Sequence, residues 1–464
     1  MTAQGLEQAL AKMQDKGVDP RARAVFESYW RQLAEGAAGL IPEDSIEPMG
    51  EVPELTEIDV TDEERAAALG QVAIVKLNGG LGTSMGMSGP KTALVAMEGL
   101  TFIDIIARQV LGLGERFGVR PPLVLMNSFR TREPSLEALR AYPELAEQSL
   151  PLDFVQSMEP KLRADDLTPV EHPADPSLEW CPPGHGDVYV SLAASGILGQ
   201  MQEHGIRYVF ISNADNLGAS CDPDIAAWLL REDLPYAAEV TERTANDRKG
   251  GHLAVRKSDG RLVLRDSAMV PEGEDHYFQD TERHQWFHTN NLWVSVDHLA
   301  AMLGEQEGGL GLPIVVNRKT VDPTDKSSTK VIQIESAMGA AIERFDGSQA
   351  IRVPRSRFRP VKTTNELLLL RSDLFGLDGD SLVQAASDRP DPVISLDDHY
   401  KLIADFDARF PHGSPSLREC TSLTVEGDIT FGADVSCAGE VTVSAAQPAE
   451  VPDRTRLEGD VQLS

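Results

Sequence analysis

The chain has 464 residues, of which 41% are hydrophobic and 25% charged, and its formal net charge is −30. This length exceeds one ordinary core and predicts two or three domains, while the composition is typical of a folded protein. The acidic balance argues against general affinity for nucleic acid or anionic membrane. An anionic substrate must therefore meet a local cluster of basic groups and backbone amides.

The four cysteines show neither a CxxC pair nor a histidine spacing typical of zinc sites: Cys181, Cys221, Cys420 and Cys437. We expect buried or free thiols in a reducing compartment. Residues 1–17 contain no apolar signal-peptide core, and no run of about 18 apolar residues occurs. These features predict a cytoplasmic protein without a signal peptide or a transmembrane helix.

Residues 1–70 are predicted to form a helical N-terminal segment and a connector. Two apolar stripes at helical spacing lie within residues 1–40 and are interpreted as packing surfaces: Leu6, Leu10 and Met13, then Phe26, Tyr29, Trp30 and Leu33. Residues 41–68 are rich in proline and acids, which indicates a wrapped connector.

Residues 71–375 are predicted to form one α/β domain, because strand-like and helix-like segments alternate along them. The predicted strands are 72–77, 121–128, 152–156, 207–215 and 292–296, and the predicted helices are 100–113, 135–147 and 187–203. Thr101 and Asp104 match a capping box at the start of the first of these helices. The alternation predicts a mostly parallel sheet with helices on both faces and ligands beyond the carboxyl ends of the strands.

The C-terminal region has a different pattern, with residues 376–415 predicted as a connecting helical segment and residues 416–464 as a β-helix. Eight aliphatic residues recur at a six-residue period with one phase shift: Leu417, Leu423, Ile429, Val435, Val441, Val451, Leu457 and Leu463. This period suits neither an ordinary helix nor a two-sided strand, and it favours a β-helix over a plain hairpin domain. Its open end favours association into a homo-oligomer.

The segment from Leu77 to Lys91, LNGGLGTSMGMSGPK, follows a buried strand, contains five glycines and ends in a lysine. Glycines let backbone amides approach phosphates closely, and lysine supplies a mobile positive charge. The spacing is neither a P-loop nor GxGxxG, so it excludes the fingerprints of kinases and dehydrogenases. By chemistry alone, the segment predicts a phosphate-binding loop.

The whole segment resembles the nucleotide-binding loop of the eukaryotic-type UDP-glucose pyrophosphorylases, and the resemblance extends over roughly residues 70–375. It differs from the related loop of UDP-N-acetylhexosamine pyrophosphorylases. The resemblance implies a Rossmann-like mixed sheet with a GT-A-like nucleotidyltransferase core. It also implies a magnesium-dependent uridylyltransferase that forms UDP-glucose and pyrophosphate from UTP and glucose 1-phosphate.

The resemblance also implies which residues bind the nucleotide and the metal. In FVQSMEPKL, Gln156 corresponds to the residue that reads uracil, and its amide can donate and accept at once. Asp215 resembles the metal-coordinating aspartate, in keeping with the preference of Mg²⁺ for hard oxygen ligands. The implied nucleotide-binding set is Leu77, Asn78, Gly79, Gly80, Lys91, Gln156, Gly184, Asp215 and Lys362.

The implied sugar-phosphate side is carried by the motifs PPGHGD, ISNADNLGA, KGG, FHTNNLWV and VIQIESAMGAAI. The implied substrate-binding set is Gly79, Gly80, His185, Asn213, Ala214, Asp215, Lys249, Gly250, Asn291 and Glu335. His288 stands where asparagine is expected in most members of the family, and we expect it to alter sugar contacts slightly.

A basic cluster in VPRSRFRPVK contains Arg355, Arg357, Arg359 and Lys362, which is anomalous in so acidic a chain and indicates an anion site. Lys362 resembles the catalytic lysine of the family, and Lys91 is its partner on the phosphates. The roles of the three arginines stay open between anion binding and surface ion pairs.

Two alternatives remain at this point. One is a pyrophosphorylase for galactose 1-phosphate or N-acetylglucosamine 1-phosphate. The other is a catalytically silent scaffold, although a silent copy would be free to lose Lys91, Asp215 and Lys362.

Overall fold

The computed structural model describes residues 3–36, 39–244, 247, 250–305, 309–387 and 389–463. Its helices are α1 (Ala3–Asp15), α2 (Pro20–Ala34), α3 (Asp62–Leu69), α4 (Phe102–Phe117), α5 (Arg132–Leu139), α6 (Val188–Ala194), α7 (Ile197–Glu203), α8 (Pro223–Glu232), α9 (Asp275–Phe278), α10 (Val296–Glu305), α11 (Thr364–Leu370) and α12 (Ile403–Arg409). Among the described residues, no helix combines the length and apolarity needed to span a bilayer.

The strands of the first half are β1 (Ile46–Pro48), β2 (Val72–Asn78), β3 (Val95–Met97), β4 (Leu100–Thr101), β5 (Leu123–Asn127), β6 (Asp153–Val155), β7 (Glu159–Pro160), β8 (Leu162–Arg163), β9 (Trp180–Cys181), β10 (Tyr208–Asn213), β11 (Tyr236–Glu242) and β12 (His252–Arg256). Those of the second half are β13 (Leu262–Arg265), β14 (Trp286–Ser295), β15 (Ile314–Thr320), β16 (Lys330–Ser336), β17 (Gln349–Arg352), β18 (Phe375–Leu377), β19 (Val383–Ala385), β20 (Val393–Leu396), β21 (Ser416–Glu426), β22 (Ile429–Phe431), β23 (Ser436–Ala445), β24 (Ala449–Val451) and β25 (Arg456–Leu463).

The N-terminal helices α1 and α2 pack on the small antiparallel sheet β15-β16-β8, and the two predicted apolar stripes form much of that contact. Helix α2 begins as a separate helix because Asp19 caps its amino end and a proline occupies the first helical position. The connector contains two elements that its composition did not predict. They are β1, which pairs with β12, and α3, which begins at a capping box between Thr61 and Glu64.

Four strands of the main sheet, β10, β2, β5 and β6, run parallel, so their carboxyl ends share one edge. Alternate residues of β2 face opposite layers. Val72 and Ile74 pack with α4 and α8, whereas Ala73 and Val75 pack with α6 and α7. The predicted strands over these residues and the helices on both faces are therefore confirmed, as is the capping box of α4.

The prediction of a mostly parallel sheet is wrong for the other half, because β14 runs antiparallel to both β10 and β11. The chain reaches β14 through the antiparallel pair β12–β13 and a connection, residues 266–285, whose α-helix is the four-residue α9, so no long crossover helix restores a parallel direction. Two helix predictions were also too long. The segment 187–203 divides into α6 and α7 at Gly196, whose φ is +78°, and α5 ends at Leu139.

The C-terminal strands form two parallel sheets, β20-β21-β23-β25 and β22-β24. Seven of the eight residues with six-residue spacing are buried between them, and Leu463 is partly buried. The apolar cluster that these residues form is continuous with the one on the α4 face of the main sheet. The four cysteines are free and buried, as predicted.

Candidate active site

A cleft of about 290 Å³ opens at the carboxyl edge of the parallel strands. It brings together twelve of the predicted site residues from distant parts of the chain: Leu77, Asn78, Gly79, Gly80, Lys91, Gln156, Gly184, His185, Asn213, Ala214, Asp215 and Lys362. Thr92 and Pro182 also line it, and although Pro182 begins the motif PPGHGD, the sequence reasoning assigned neither residue a role.

The glycine-rich loop folds back on itself, so that Lys91 returns beside Gly80. The Lys91 amide donates to the Gly80 carbonyl at 3.2 Å, and the Met87 amide donates to the Gly82 carbonyl at 3.0 Å. A Cβ on Gly79 would lie 2.5 Å from Oε1 of Gln156, so the Gln156 side chain would have to shift if residue 79 carried a side chain. The loop thus leaves the backbone accessible and holds the Gln156 amide against it.

The side chain of Asn78 points away from the cleft and supports the loop through hydrogen bonds inside the protein. Its Nδ2 donates to Oδ1 of Asn127 and Oγ of Ser135, and its Oδ1 accepts a hydrogen bond from the Thr92 hydroxyl. Because the side chain is buried and fully engaged, only the backbone of Asn78 is available to a ligand.

Asp215 lies between the two predicted catalytic lysines. The Nζ atoms of Lys91 and Lys362 each lie 2.8 Å from its Oδ2, and Lys91 also donates to the Val361 carbonyl. Burial raises the pKa of the Asp215 carboxyl, but Lys362 and Lys91 lower it by more, so the net pKa is below its ordinary value. The site therefore holds a carboxylate anion with two cations in contact.

The other wall of the cleft is the turn that carries Gly184 and His185, which packs against the end of β16 and the segment that follows it. Gly184 has φ of +82°, and a Cβ there would lie 2.6 Å from the Ser336 carbonyl oxygen. The Met338 amide donates to Nδ1 of His185 at 2.9 Å, so a neutral ring carries its proton on Nε2. His185 is an exposed residue, yet desolvation by the surrounding protein lowers the pKa of its ring.

The remaining sugar-side predictions lie apart from this cleft or at its margin. Lys249 lies outside the described residues. Gly250 packs its Cα against the Phe287 ring, and the Cβ of Glu335 adjoins Gly184. Asn291 is fully buried, and its Nδ2 donates to Glu239 and to the Arg357 carbonyl, so in this conformation it does not face the cleft. Sugar binding by these residues stays a prediction.

His288 is also buried, where burial lowers its pKa to about 4. Its Nδ1 accepts a hydrogen bond from the Asn290 amide at 3.3 Å.

The basic cluster is largely compensated by acids. Arg355 forms a two-pronged ion pair with Asp247, Arg357 with Glu239, and Arg359 pairs with Asp391 and stacks on Phe375. Ion pairing is thus what the arginines do in this structure. Sequence reasoning missed Glu239, although a glutamate inside the otherwise apolar strand YAAEV is a signal that could have found it.

Oxygen ligands for a cation are sparse but suitable. Among the described residues, no group of three or more His, Cys, Asp or Glu side chains is arranged to hold a metal. Oδ1 of Asp215, however, is buried and has no hydrogen-bond partner within the described part of the chain. A single carboxylate with an unused oxygen beside the glycine-rich loop fits Mg²⁺, which often combines one carboxylate with substrate phosphates and water.

Comparison with known proteins agrees with this geometry. The family model described as UTP--glucose-1-phosphate uridylyltransferase matches residues 23–438. The potato protein of that name (Solanum tuberosum) is 38% identical over 89% of this chain and 84% of its own length. The yeast protein of that name (Saccharomyces cerevisiae) is 36% identical over 99% of this chain and 94% of its own length.

Solved structures match over the full length. The crystal structure of a UDP-glucose phosphorylase from Trypanosoma brucei is 42% identical with a TM-score of 0.92, and each chain is covered completely. A point mutant of Leishmania major UDP-glucose pyrophosphorylase, solved in complex with UDP-glucose, is 36% identical with a TM-score of 0.92, again over both whole chains.

Proposed function

Because the chain belongs to the family of UTP--glucose-1-phosphate uridylyltransferases, we propose that it forms UDP-glucose and pyrophosphate from UTP and glucose 1-phosphate. The observation that carries the proposal is the group of Lys91, Asp215 and Lys362 at the mouth of the glycine-rich loop. These three residues provide two mobile cations and one carboxylate where a phosphate chain would enter.

The proposed reaction is a substitution at phosphorus. A phosphate oxygen of glucose 1-phosphate attacks the α-phosphorus of UTP, the new P–O bond forms, and the bond to the pyrophosphate leaving group breaks. The nucleophile is already an anion, so the protein needs no general base. Its tasks are to align the two substrates and to neutralise charge on the phosphates.

Different groups of the cleft carry out these tasks. The loop backbone at Gly79 and Gly80 accommodates the UTP phosphates, and Lys91 and Lys362 neutralise them. Asp215 would hold Mg²⁺ through its unused Oδ1, and the ion would supply further charge neutralisation when bound. Through its contacts with both lysines, Asp215 holds them near the positions where they are needed.

Base and sugar recognition fall to the neutral groups of the cleft. The Gln156 amide can match the imide edge of uracil, which presents both a donor and acceptors. His185, with its proton on Nε2, can donate to the sugar phosphate without a net charge. Glu335, Asn291, Lys249 and Gly250 are proposed to complete the sugar side.

We further propose that residues 71–375 form a GT-A-like nucleotidyltransferase core and that residues 416–464 form a β-helix. The parallel pairing of β21, β23 and β25 and the buried six-residue repeat support the latter. Association through this region into a homo-oligomer and a cytoplasmic location both stay predictions.

The test is release of pyrophosphate from UTP by the purified protein, with and without MgCl₂. Glucose 1-phosphate, galactose 1-phosphate and N-acetylglucosamine 1-phosphate are supplied in turn, and we expect glucose 1-phosphate to be preferred. Release with none of the sugars would overturn the proposal and favour a silent scaffold. Preference for another sugar would overturn only the glucose assignment, and full activity in EDTA would overturn the magnesium assignment.

A further inference from the structure

A sealed polar cluster adjoins the cleft, made of Asn216, Glu239, Asn291 and Arg357, which we call the buried clamp. We propose that the buried clamp positions Lys362 by fastening the segment that carries it to the loop that carries Asp215. The inference rests on the proposed function, because it gives Lys362 a catalytic role. Asn216, Glu239 and Arg357 have no proposed contact with substrate and do not line the cleft, so they act as positioning residues, while Asn291 completes the hydrogen bonding of Glu239 in this conformation.

The centre of the clamp is a fully satisfied ion pair. Glu239 is 0% exposed. Its Oε2 accepts hydrogen bonds from Nε of Arg357 at 2.7 Å and Nδ2 of Asn291 at 2.9 Å. Its Oε1 accepts from Nη2 of Arg357 at 2.6 Å and Nε1 of Trp293 at 3.0 Å. Four donors occupy the two oxygens, so this carboxylate has one arrangement and no capacity for another ligand.

Asn216 connects this pair to the backbone of two segments, the loop after Asp215 and the segment that leads to Lys362. Its Nδ2 donates to the Arg357 carbonyl at 3.1 Å, and its Oδ1 accepts from the Arg359 amide at 2.8 Å and the Gly218 amide at 3.2 Å. One amide side chain therefore bonds backbone groups of both segments, and we call this contact between them the joint.

Further contacts between the same two backbone segments extend to Asp215 and to the residue before Lys362. The Val361 amide donates to the Asp215 carbonyl at 3.1 Å, one residue before Lys362. A Cβ on Gly218 would lie 2.2 Å from the Ser356 carbonyl oxygen, which shows how closely the two backbones approach. The consequence is that Lys362 begins from a backbone held against Asp215, although its own side chain is 58% exposed.

Stability alone gives a weak reason for such a cluster. Removing two charges from water is costly, and a buried pair contributes little more than well-packed apolar side chains would. An ion pair does, however, specify a single geometry. A displacement of about 1 Å at a reacting group can lower a rate about a hundred-fold, so fixing this joint has a direct catalytic value.

The test is Asn216→Ala, compared with Gln148→Ala as the matched control. Gln148 is also an amide that bonds backbone groups, at Leu123 and Leu150, but it lies at the amino end of β5, away from the cleft. We expect kcat to fall between about ten-fold and a hundred-fold in Asn216→Ala, with KM for UTP changing much less. Gln148→Ala should retain the wild-type kcat. Equal kcat values in the two variants would overturn the proposal.

A double-mutant cycle with Lys362→Ala separates positioning from a merely structural role. If Asn216 acts through Lys362, the double variant should be no slower than Lys362→Ala alone. If the two effects multiply, the proposal is wrong. This readout does not depend on how much stability each variant loses.

A second measurement works without turnover. The rate of reductive methylation of each lysine in the substrate-free protein can be followed by mass spectrometry. We expect Asn216→Ala to raise the rate at Lys362 several-fold and to leave exposed Lys319 unchanged, whereas Gln148→Ala changes neither. An unchanged rate at Lys362 would overturn the clamp. Absence of pyrophosphate release by the wild-type protein would instead overturn the proposed function.

Discussion

Asp215 and Glu239 are both carboxylates held by cationic side chains, but the surroundings of the two differ. Asp215 faces the cleft, its side chain is 12% exposed, and one oxygen lacks a hydrogen-bond partner among the described residues. Its cations are lysines, and Lys362 is largely exposed. Glu239 is sealed from solvent, both of its oxygens are engaged, and its cation is the planar fork of Arg357.

The difference separates binding from positioning. A lysine ammonium on a flexible stem can leave a carboxylate for a phosphate oxygen, whereas a buried arginine fork cannot move without leaving a charge unpaired. Pairing of a carboxylate with a cation therefore gives an exchangeable site at Asp215 and a fixed joint at Glu239. Substitutions in the first should affect activity, and substitutions in the second should affect stability as well.

The largest effect is expected for Lys362→Ala, which tests the exchangeable site. Loss of this cation should lower turnover between about a hundred-fold and a thousand-fold, because charge on the phosphates is no longer neutralised. The exposed side chain contributes little to folding, so the urea midpoint should be unchanged. Turnover close to the wild-type value in the folded variant would remove Lys362 from the mechanism.

Glu239→Gln tests the fixed joint, where we expect an effect on stability. The glutamine retains the shape but removes the main counter-ion of Arg357 and leaves Asp222, 3.4 Å from its Nη1, as the remaining acidic partner. This change should cost up to about 3 kcal/mol of the free energy of unfolding. Urea unfolding followed by circular dichroism measures this loss. A midpoint equal to that of the wild type would show that the sealed pair is not what distinguishes the two regions.

Asp215→Asn should resemble Lys362→Ala rather than Glu239→Gln. We expect turnover to fall about a hundred-fold, since the variant loses the proposed ligand of Mg²⁺ and the anchor of both lysines. Titration of UTP binding against MgCl₂ should lose its dependence on the metal. A variant that binds UTP with the wild-type dependence on Mg²⁺ would contradict the role of Asp215.

Gln156→Ala sharpens the comparison by removing a neutral contact from the charged cleft. Loss of the hydrogen bonds to the base should raise KM for UTP about ten-fold and relax discrimination against other nucleotides, with kcat nearly constant. Steady-state kinetics with UTP, CTP and ATP measures this. A large fall in kcat with unchanged KM would mean that Gln156 acts on the phosphates instead.

The smallest effect is expected at Lys76, beside the sealed pair. Burial, together with the nearby charge of Arg357, lowers the pKa of Lys76 to about 7. Between this value and the ordinary lysine pKa, the unfolded chain holds a proton that the folded chain has lost, so stability rises with pH from about 7 upwards. Lys76→Met should remove up to about 1 kcal/mol of this rise per pH unit.

Urea unfolding at pH values of about 7, 8 and 9 measures the effect, with Lys319→Met as the exposed control. The control should keep the wild-type rise with pH. An identical rise in Lys76→Met would show that Lys76 stays protonated when buried.

Local sequence patterns predicted much of this molecule, but they did not predict the pairings between residues distant in the chain. The apolar run of β2 and the spacing of the N-terminal stripes depend on neighbouring residues, and both were correct. The antiparallel direction of β14 depends on the route of the chain before it, which no periodicity records. Arg357 and Glu239 are separated by 118 residues, so their pairing could not be seen in the sequence.

The candidate site shows the same division. The glycine-rich loop indicated a phosphate site by its own chemistry, but only resemblance to a family connected it with Asp215 and Lys362. Neither source assigned a role to Asn216. Its importance arises because two backbone segments approach each other at that point, which is a tertiary feature.

The contact between Gly79 and the Gln156 amide has a consequence for comparing genomes. Any side chain at position 79 would occupy the place of that amide oxygen. A related gene that encodes alanine or serine there is expected to place the amide that corresponds to Gln156 differently. A single codon would thus mark copies in which this side chain has shifted, before any protein is purified.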